Sequence, residues 1–361
     1  MSSNSLKLLL AGGICLLVVF VVTRVVGIQQ VFVNEQQEYY PWIDTHAHME
    51  SNTVTLGKVS RDLCTSVSCL EEFERVLQHH HVEKTIVMSP PRAREPNEEA
   101  EDDLLHASTT SEAFDYGGGG AVLNPMLQEA YRAGIVSSEL RSNFELAAKK
   151  IAANGAAVFG EIAGLHLSAG PSHPFEQIPL DHELMLLLAD IAAAEGIPMD
   201  IHLDLIPTNQ PTPTFFLQRS ERNPTELESN LESFERLLEH NRNARIVLAH
   251  VGWDMVGTQS FELYDRLLSR HDNLFLQIRV STSLFSEHGV LDKNGVVREE
   301  WLDFLEKYQN RFVLGTDMFY GDSELDTRSL ELTNVFLDQL PKSIVTAIAT
   351  ENAKVIYRLS N

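Results

Sequence analysis

His46 and His48 stand two residues apart at the end of the run Trp42-Ile43-Asp44-Thr45-His46-Ala47-His48. In an extended strand, residues i and i+2 face the same side, so both imidazoles can reach one cation from a rigid backbone. Other short apolar runs end the same way. Glu161 closes Ala156-Ala157-Val158-Phe159-Gly160, and His202 closes Ile197-Pro198-Met199-Asp200-Ile201. His250 closes Arg245-Ile246-Val247-Leu248-Ala249, and Asp317 closes Arg311-Phe312-Val313-Leu314-Gly315-Thr316. Imidazoles and carboxylates are costly to leave unpaired at buried strand ends. One of them could be a hydrogen-bonded core group; a whole set in one repeated position points to a common metal site. Nitrogen and oxygen donors without thiolate suit a divalent cation, zinc first, with manganese, iron or nickel also fitting. Such a cation lowers the pKa of water towards neutrality and polarises a carbonyl or phosphoryl oxygen.

For these side chains to converge, the runs must lie side by side and end at one rim. Lys84 to Met88 reads as a second strand. Ala121-Val122-Leu123, entered from Gly117 to Gly120, reads as a third, and Asn273 to Val280 as a seventh. With the runs above this makes eight. Between them lie amphipathic helices. Leu184, Leu187, Leu188 and Ile191 recur at i, i+3, i+4 and i+7 before Gly196; Phe144, Ala147, Ala148 and Ile151 precede Asn154-Gly155; Leu231, Phe234, Leu237 and Leu238 make another stripe. Strand and helix alternating in this way predict an α/β chain folded as a (β/α)8 TIM barrel over residues 41–359, with its site at the carboxyl ends of the strands. Two doubly wound domains are the rival. Three long loops leave those ends and are candidate lids: the acidic Pro90 to Gly120, read as a solvated loop; Leu205 to Pro224, with Pro207, Pro211, Pro213 and the pair Phe215-Phe216; and Met318 to Thr327.

Composition narrows the partners. The 361 residues carry 43% apolar side chains, ample for a core, and a formal charge of −23. That charge argues against nucleic acid and against docking on anionic lipid, because both attract basic surface; a small-molecule substrate remains, and homo-oligomerisation is left open. Leu8 to Val22 is apolar and follows Lys7, the layout of an export signal, so residues 1–28 read as a signal peptide or signal anchor. The expected location is periplasmic or extracellular, with membrane contact only through this segment. Cys64 and Cys69 could form a small disulfide loop in such a compartment or stay unpaired.

Other residues carry two readings each. His166, just past the fourth strand, could touch substrate or be a hydrogen-bonded loop histidine. Arg279, ending the seventh, could clamp a substrate carboxylate or phosphate, or pair with a neighbouring acid. Trp253 and Asp254 line the pocket or shape the turn after His250. His79-His80-His81 closes a helical run, where histidines suit the dipole, and is expected to hold no metal. Gly117 to Gly120 reads as flexible, not as a phosphate loop.

The ordered set Ile-Asp-Thr-His46-Ala-His48, Gly160-Glu161, Ile201-His202, Leu248-Ala249-His250 and Gly315-Thr316-Asp317 resembles the amidohydrolase superfamily of metal-dependent barrels. Glu351 to Leu359 looks like the closing helix of its amidohydrolase-2 branch. The resemblance implies that His46, His48 and Asp317 hold one ion. Glu161 then bridges to a second ion on His202 and His250, or His202 joins a single ion while His250 orients water or substrate. It implies a hydrolase that attacks an amide, ester, lactone or related bond with metal-bound hydroxide, Asp317 moving the proton. Decarboxylation with the same ligands is the alternative, and a non-catalytic binding barrel a second one.

Overall fold

The computed structural model describes residues 39–49, 54–55, 58–59, 66–91, 95–170, 173–283, 286, 288–320 and 326–359. The expected export segment, residues 1–28, and Cys64 lie outside the described residues. Cys69 is disulfide-bonded. No helix among the described residues is long and apolar enough to cross a membrane.

Eight parallel strands close on themselves. They are β1 (Trp42–His48), β2 (Val82–Val87), β3 (Phe114–Gly119), β4 (Val158–His166), β5 (Met199–Leu203), β6 (Ile246–Val251), β7 (Leu274–Ile278) and β8 (Phe312–Leu314). Each pairs with the next, and β8 returns to β1 through Asp44 opposite Leu314. Parallel neighbours need a crossover, and the amphipathic stripes supply it. Glu183–Glu195 is helical, with the His182 ring accepting from the Leu184 amide and Gly196 left-handed at the end. Ser138–Ala153 and Leu231–His240 follow the spacing of their apolar residues. One large cluster of buried side chains packs strands against helices. A smaller one gathers Ile43, Ile86, Val158, Val247 and Val313 from five strands with Ala353, Ile356 and Tyr357 of the last helix, Asn352–Tyr357. The expected closing helix therefore forms the floor of the barrel.

Two expectations about the third unit are corrected. Pro90 to Gly120 is not a solvated loop: Glu98–Thr110 is a helix whose N-terminal acids favour its dipole, capped by the Asn97 side chain. The third strand is Phe114–Gly119, and Ala121 to Leu123 follows it as the start of the next helix. Gly117 and Gly118 are buried ladder residues opposite Val158 and Phe159, so the glycines are not flexible. They are small because their surroundings are full: a Cβ on Gly117 would lie 2.9 Å from Val158 Cγ1, and one on Gly118 would run into Tyr116 and Ile151. Gly119 has φ of 118°, which excludes a side chain.

Leu205 to Pro224 is also more ordered than a loop. It carries a short strand, Gln210–Pro211, paired with Glu226–Leu227, and the helical turn Thr214–Arg219. The Asn223 amide donates to Ser168 O at 2.9 Å and Phe216 O at 3.0 Å, tying this segment to the end of β4. In the third loop, Met318–Phe319 pairs with the end of β1, and residues 321–325 lie outside the described residues.

Candidate metal centre

All six sequence-derived donors meet at the carboxyl rim of the barrel. They form three overlapping groups, His46–His48–Glu161, Glu161–His202–His250 and His46–His250–Asp317, with donor atoms within 4.8 Å of one another in each. His46, His48, Glu161 and His250 are buried; His202 and Asp317 are partly open, their side chains 19% and 17% exposed. Breaks in strand register accompany three of them. The β1–β2 ladder shifts between Asp44 and Ala47, the β4–β5 ladder between Phe159 and Ile162, and the β6–β7 ladder between Leu248 and Val251. Each interval contains a donor: His46, Glu161 and His250. Such bulges re-aim a side chain at the price of one ladder bond. His250 and Asp317 also hold left-handed backbones, with φ of 61° and 54°, a conformation that costs a non-glycine residue about 1–3 kcal/mol. The His250 amide donates to Gln277 Oε1 at 3.0 Å, and the Asp317 amide to His46 O at 2.9 Å.

Glu161 is the hub. Its Oε2 lies 3.6 Å from Nε2 of His46 and 3.6 Å from Nε2 of His48. Its Oε1 lies 2.6 Å from His202 Nδ1 and 3.0 Å from His250 Nε2. Burial alone would raise its carboxyl, but the nearby His46 and the bonds to His202 and His250 hold it well below the usual range. Asp317 is similar: burial pushes it up, while Arg279, His250 and His48 outweigh that and keep it strongly depressed. For His46, burial disfavours the cation, yet Asp200 and Glu161 raise its pKa well above normal. The pocket thus favours positive charge.

Outer partners orient the ring nitrogens. His46 Nδ1 is 3.2 Å from Asp200 Oδ2, and His48 Nδ1 donates to Met88 O at 2.9 Å. Both rings therefore present Nε2 inward. His46 Nε2 is buried with no hydrogen-bond partner among the described residues. An inward ring nitrogen without a hydrogen bond, beside two carboxylates, fits a divalent cation that would displace its proton, and nothing in the donor chemistry opposes one. Carboxylate-backed imidazoles are the usual support of metal-ligating histidines.

Two low-signal residues fall differently. His166 is the last residue of β4 and not a loop residue; its ring meets His202 edge-on at 4.4 Å between centroids, so it lines the pocket wall. Burial, with His202 and His173 adding to it, holds its pKa well below normal. Arg279 takes the reading of pairing with an acid: its Nη1 donates to Asp317 Oδ2 at 2.6 Å. Trp253 lies under its guanidinium, and Asp254 shapes the turn by accepting from the amides of Val256, Gly257 and Gln259. His79 and His80 end the helix Val67–His79, away from the donor groups. Sequence reasoning missed Asp200, Asp44 and Gln277. Asp44 accepts from the Thr316 amide and hydroxyl at 2.9 and 2.6 Å, locking the entry to Asp317; burial lifts its pKa to about 6 against those bonds. Asp44 and Asp200 each precede a donor histidine by two positions, which was their one visible signal.

No family model and no curated protein matches the sequence. Among solved structures, an Agrobacterium tumefaciens protein in its apo form is similar over 89% of this chain and 97% of its own, with 14% identity and a TM-score of 0.51. Amidohydrolase 2 from Bifidobacterium longum subsp. infantis covers 89% of this chain and 99% of its own at 12% identity and a TM-score of 0.48. A 2,6-dihydroxybenzoate decarboxylase from Rhizobium covers 89% and 99% at 11% identity and a TM-score of 0.49. At these identities the likeness is one of fold.

Proposed function

We propose that this chain is an amidohydrolase-type enzyme, a metal-dependent hydrolase that opens an amide, ester, lactone or related bond of a small molecule. The observation that carries the reading is the division of Glu161, one oxygen turned to His46 and His48 and the other to His202 and His250. A carboxylate shared in this way suits a bridge between two divalent cations, zinc first, with His46, His48 and Asp317 on one side and His202 and His250 on the other. When bound, such cations act as Lewis acids, lowering the pKa of water and polarising the scissile carbonyl.

The chain's own groups supply the rest. Asp317 is partly open at the rim and offers its Oδ1 to the donor cluster, so it is placed to accept a proton from attacking water and pass it to the leaving group. Burial lowers the pKa of His250; a neutral imidazole at that rim can orient water or the substrate. His166 forms the wall that a substrate meets beside His202. Decarboxylation would use the same donors, with Asp317 delivering a proton to the carbon that loses carbon dioxide; the assay below separates the two reactions.

The test is a purified, zinc- or manganese-loaded protein assayed against ester, lactone and amide panels, with carbon dioxide release followed in parallel. Metal-dependent hydrolysis is expected. Carbon dioxide release without hydrolysis would make it a lyase, and failure to take up metal would leave a binding barrel. In Asp317→Asn, kcat should fall about 10²–10⁴-fold with metal content verified; normal turnover removes Asp317 from the mechanism.

A further inference from the structure

We infer that Arg279, backed by Trp253, is a positioning residue that fixes which oxygen of Asp317 faces the metal centre; this rests on the metal reading above. The two carboxylate oxygens are divided. Oδ1 lies 3.0 Å from His48 Nε2, inside the donor cluster, while Oδ2 accepts from Arg279 Nη1 at 2.6 Å. A carboxylate with one oxygen held by a guanidinium cannot rotate to chelate with both, nor swing out to solvent. It is left with one oxygen for a cation or a proton.

The brace is itself held. Arg279 follows β7, and its amide donates to Val251 O at 2.9 Å, so its backbone is anchored to the end of β6. Its guanidinium carbon sits 4.3 Å from the centroid of the Trp253 ring. Trp253 stands on the turn after His250, its amide donating to His250 O at 2.9 Å. A stacked guanidinium is positioned by face and by hydrogen bond together, which an ammonium cannot reproduce. The turn that carries His250 and the strand end that carries Asp317 are thereby coupled through one cation. This also gives Arg279 a role that competes with clamping a substrate anion, since the hydrogen bond and the stack already set its direction.

Cobalt(II) serves as the probe, because its visible absorption reports ligand geometry without any substrate. Full-length wild-type, Arg279→Met, Arg279→Lys and Trp253→Leu proteins are titrated with cobalt and their folding checked by circular dichroism. Arg279→Met should bind cobalt about 10–100-fold more weakly with displaced visible bands. Arg279→Lys should recover part of the affinity but not the bands, and Trp253→Leu should fall between. A folded Arg279→Met with wild-type affinity and bands overturns the inference while leaving the metal reading intact. If Arg279→Met does not fold, Trp253→Leu is judged by the same two criteria. Wild-type protein that takes up no cobalt overturns the metal reading and this inference together.

Discussion

Asp200 shows how a residue outside the donor set governs it. Fully buried, it backs His46 Nδ1 at 3.2 Å, so a proton is held on that nitrogen and Nε2 turns inward, where a cation would take its lone pair. Asp200→Asn keeps the shape but offers an amide that can also donate, and the ring is no longer held to one tautomer. Metal affinity should drop about 10–100-fold, read by competition against a chromophoric chelator; unchanged affinity would reduce Asp200 to a packing role. The six donors were legible because each ends an apolar run. Asp200 was not tied to His46 by anything in the linear order, since 154 positions separate them. Arg279 was legible as a cation at a strand end, but its choice between a ligand and Asp317 depends on the closed barrel.

Among the elements, the sequence revealed alternation better than detail. Periodic apolar stripes at 144–151, 184–191 and 231–238 marked helices, which the structure bounds at 138–153, 183–195 and 231–240. The third strand was misplaced because Phe-Asp-Tyr-Gly-Gly-Gly lacks the β-branched residues that mark strands; close packing against β4 overrides that weak propensity. The acidic run before it misled for a related reason. Charge reads as solvation, yet Glu101 is buried and accepts from Tyr116 Oη at 2.6 Å and the Gly119 amide at 2.8 Å, joining helix to strand. Burial raises its carboxyl pKa, against the opposing pull of these bonds. A raised folded-state value means that Glu101 contributes its stability fully below the unfolded pKa and loses it as pH rises through the folded one. Glu101→Gln should therefore cost about 1–3 kcal/mol in mildly acidic urea titrations and less at neutral pH. A cost that grows with pH would reverse this sign. Register shifts at His46, Glu161 and His250 were invisible to any period-two reading, because a bulge is a departure from that period.

For the molecule as a whole, the barrel class followed from eight strand-like runs with helices between them, and the structure closes them in sequential order. Metal loading should act on this whole. A cation that binds only the folded barrel at about 100 times its dissociation constant adds about 2.7 kcal/mol, a rise of about 3–5 °C in Tm for a chain this long. Differential scanning with zinc and then with a chelator checks it; a melting point indifferent to both would mean that the donors bind no metal in the native state. The seam between β8 and β1 sets the timetable of this chain's assembly. His48 and Asp317 touch across it although 269 positions divide them. A growing polypeptide exposes its paired histidines early and receives their counter-carboxylate only near the end of synthesis. On the proposed metal reading, a cation meets its full donor set only once synthesis has passed β8, and a product truncated ahead of that strand would lack one carboxylate of the site.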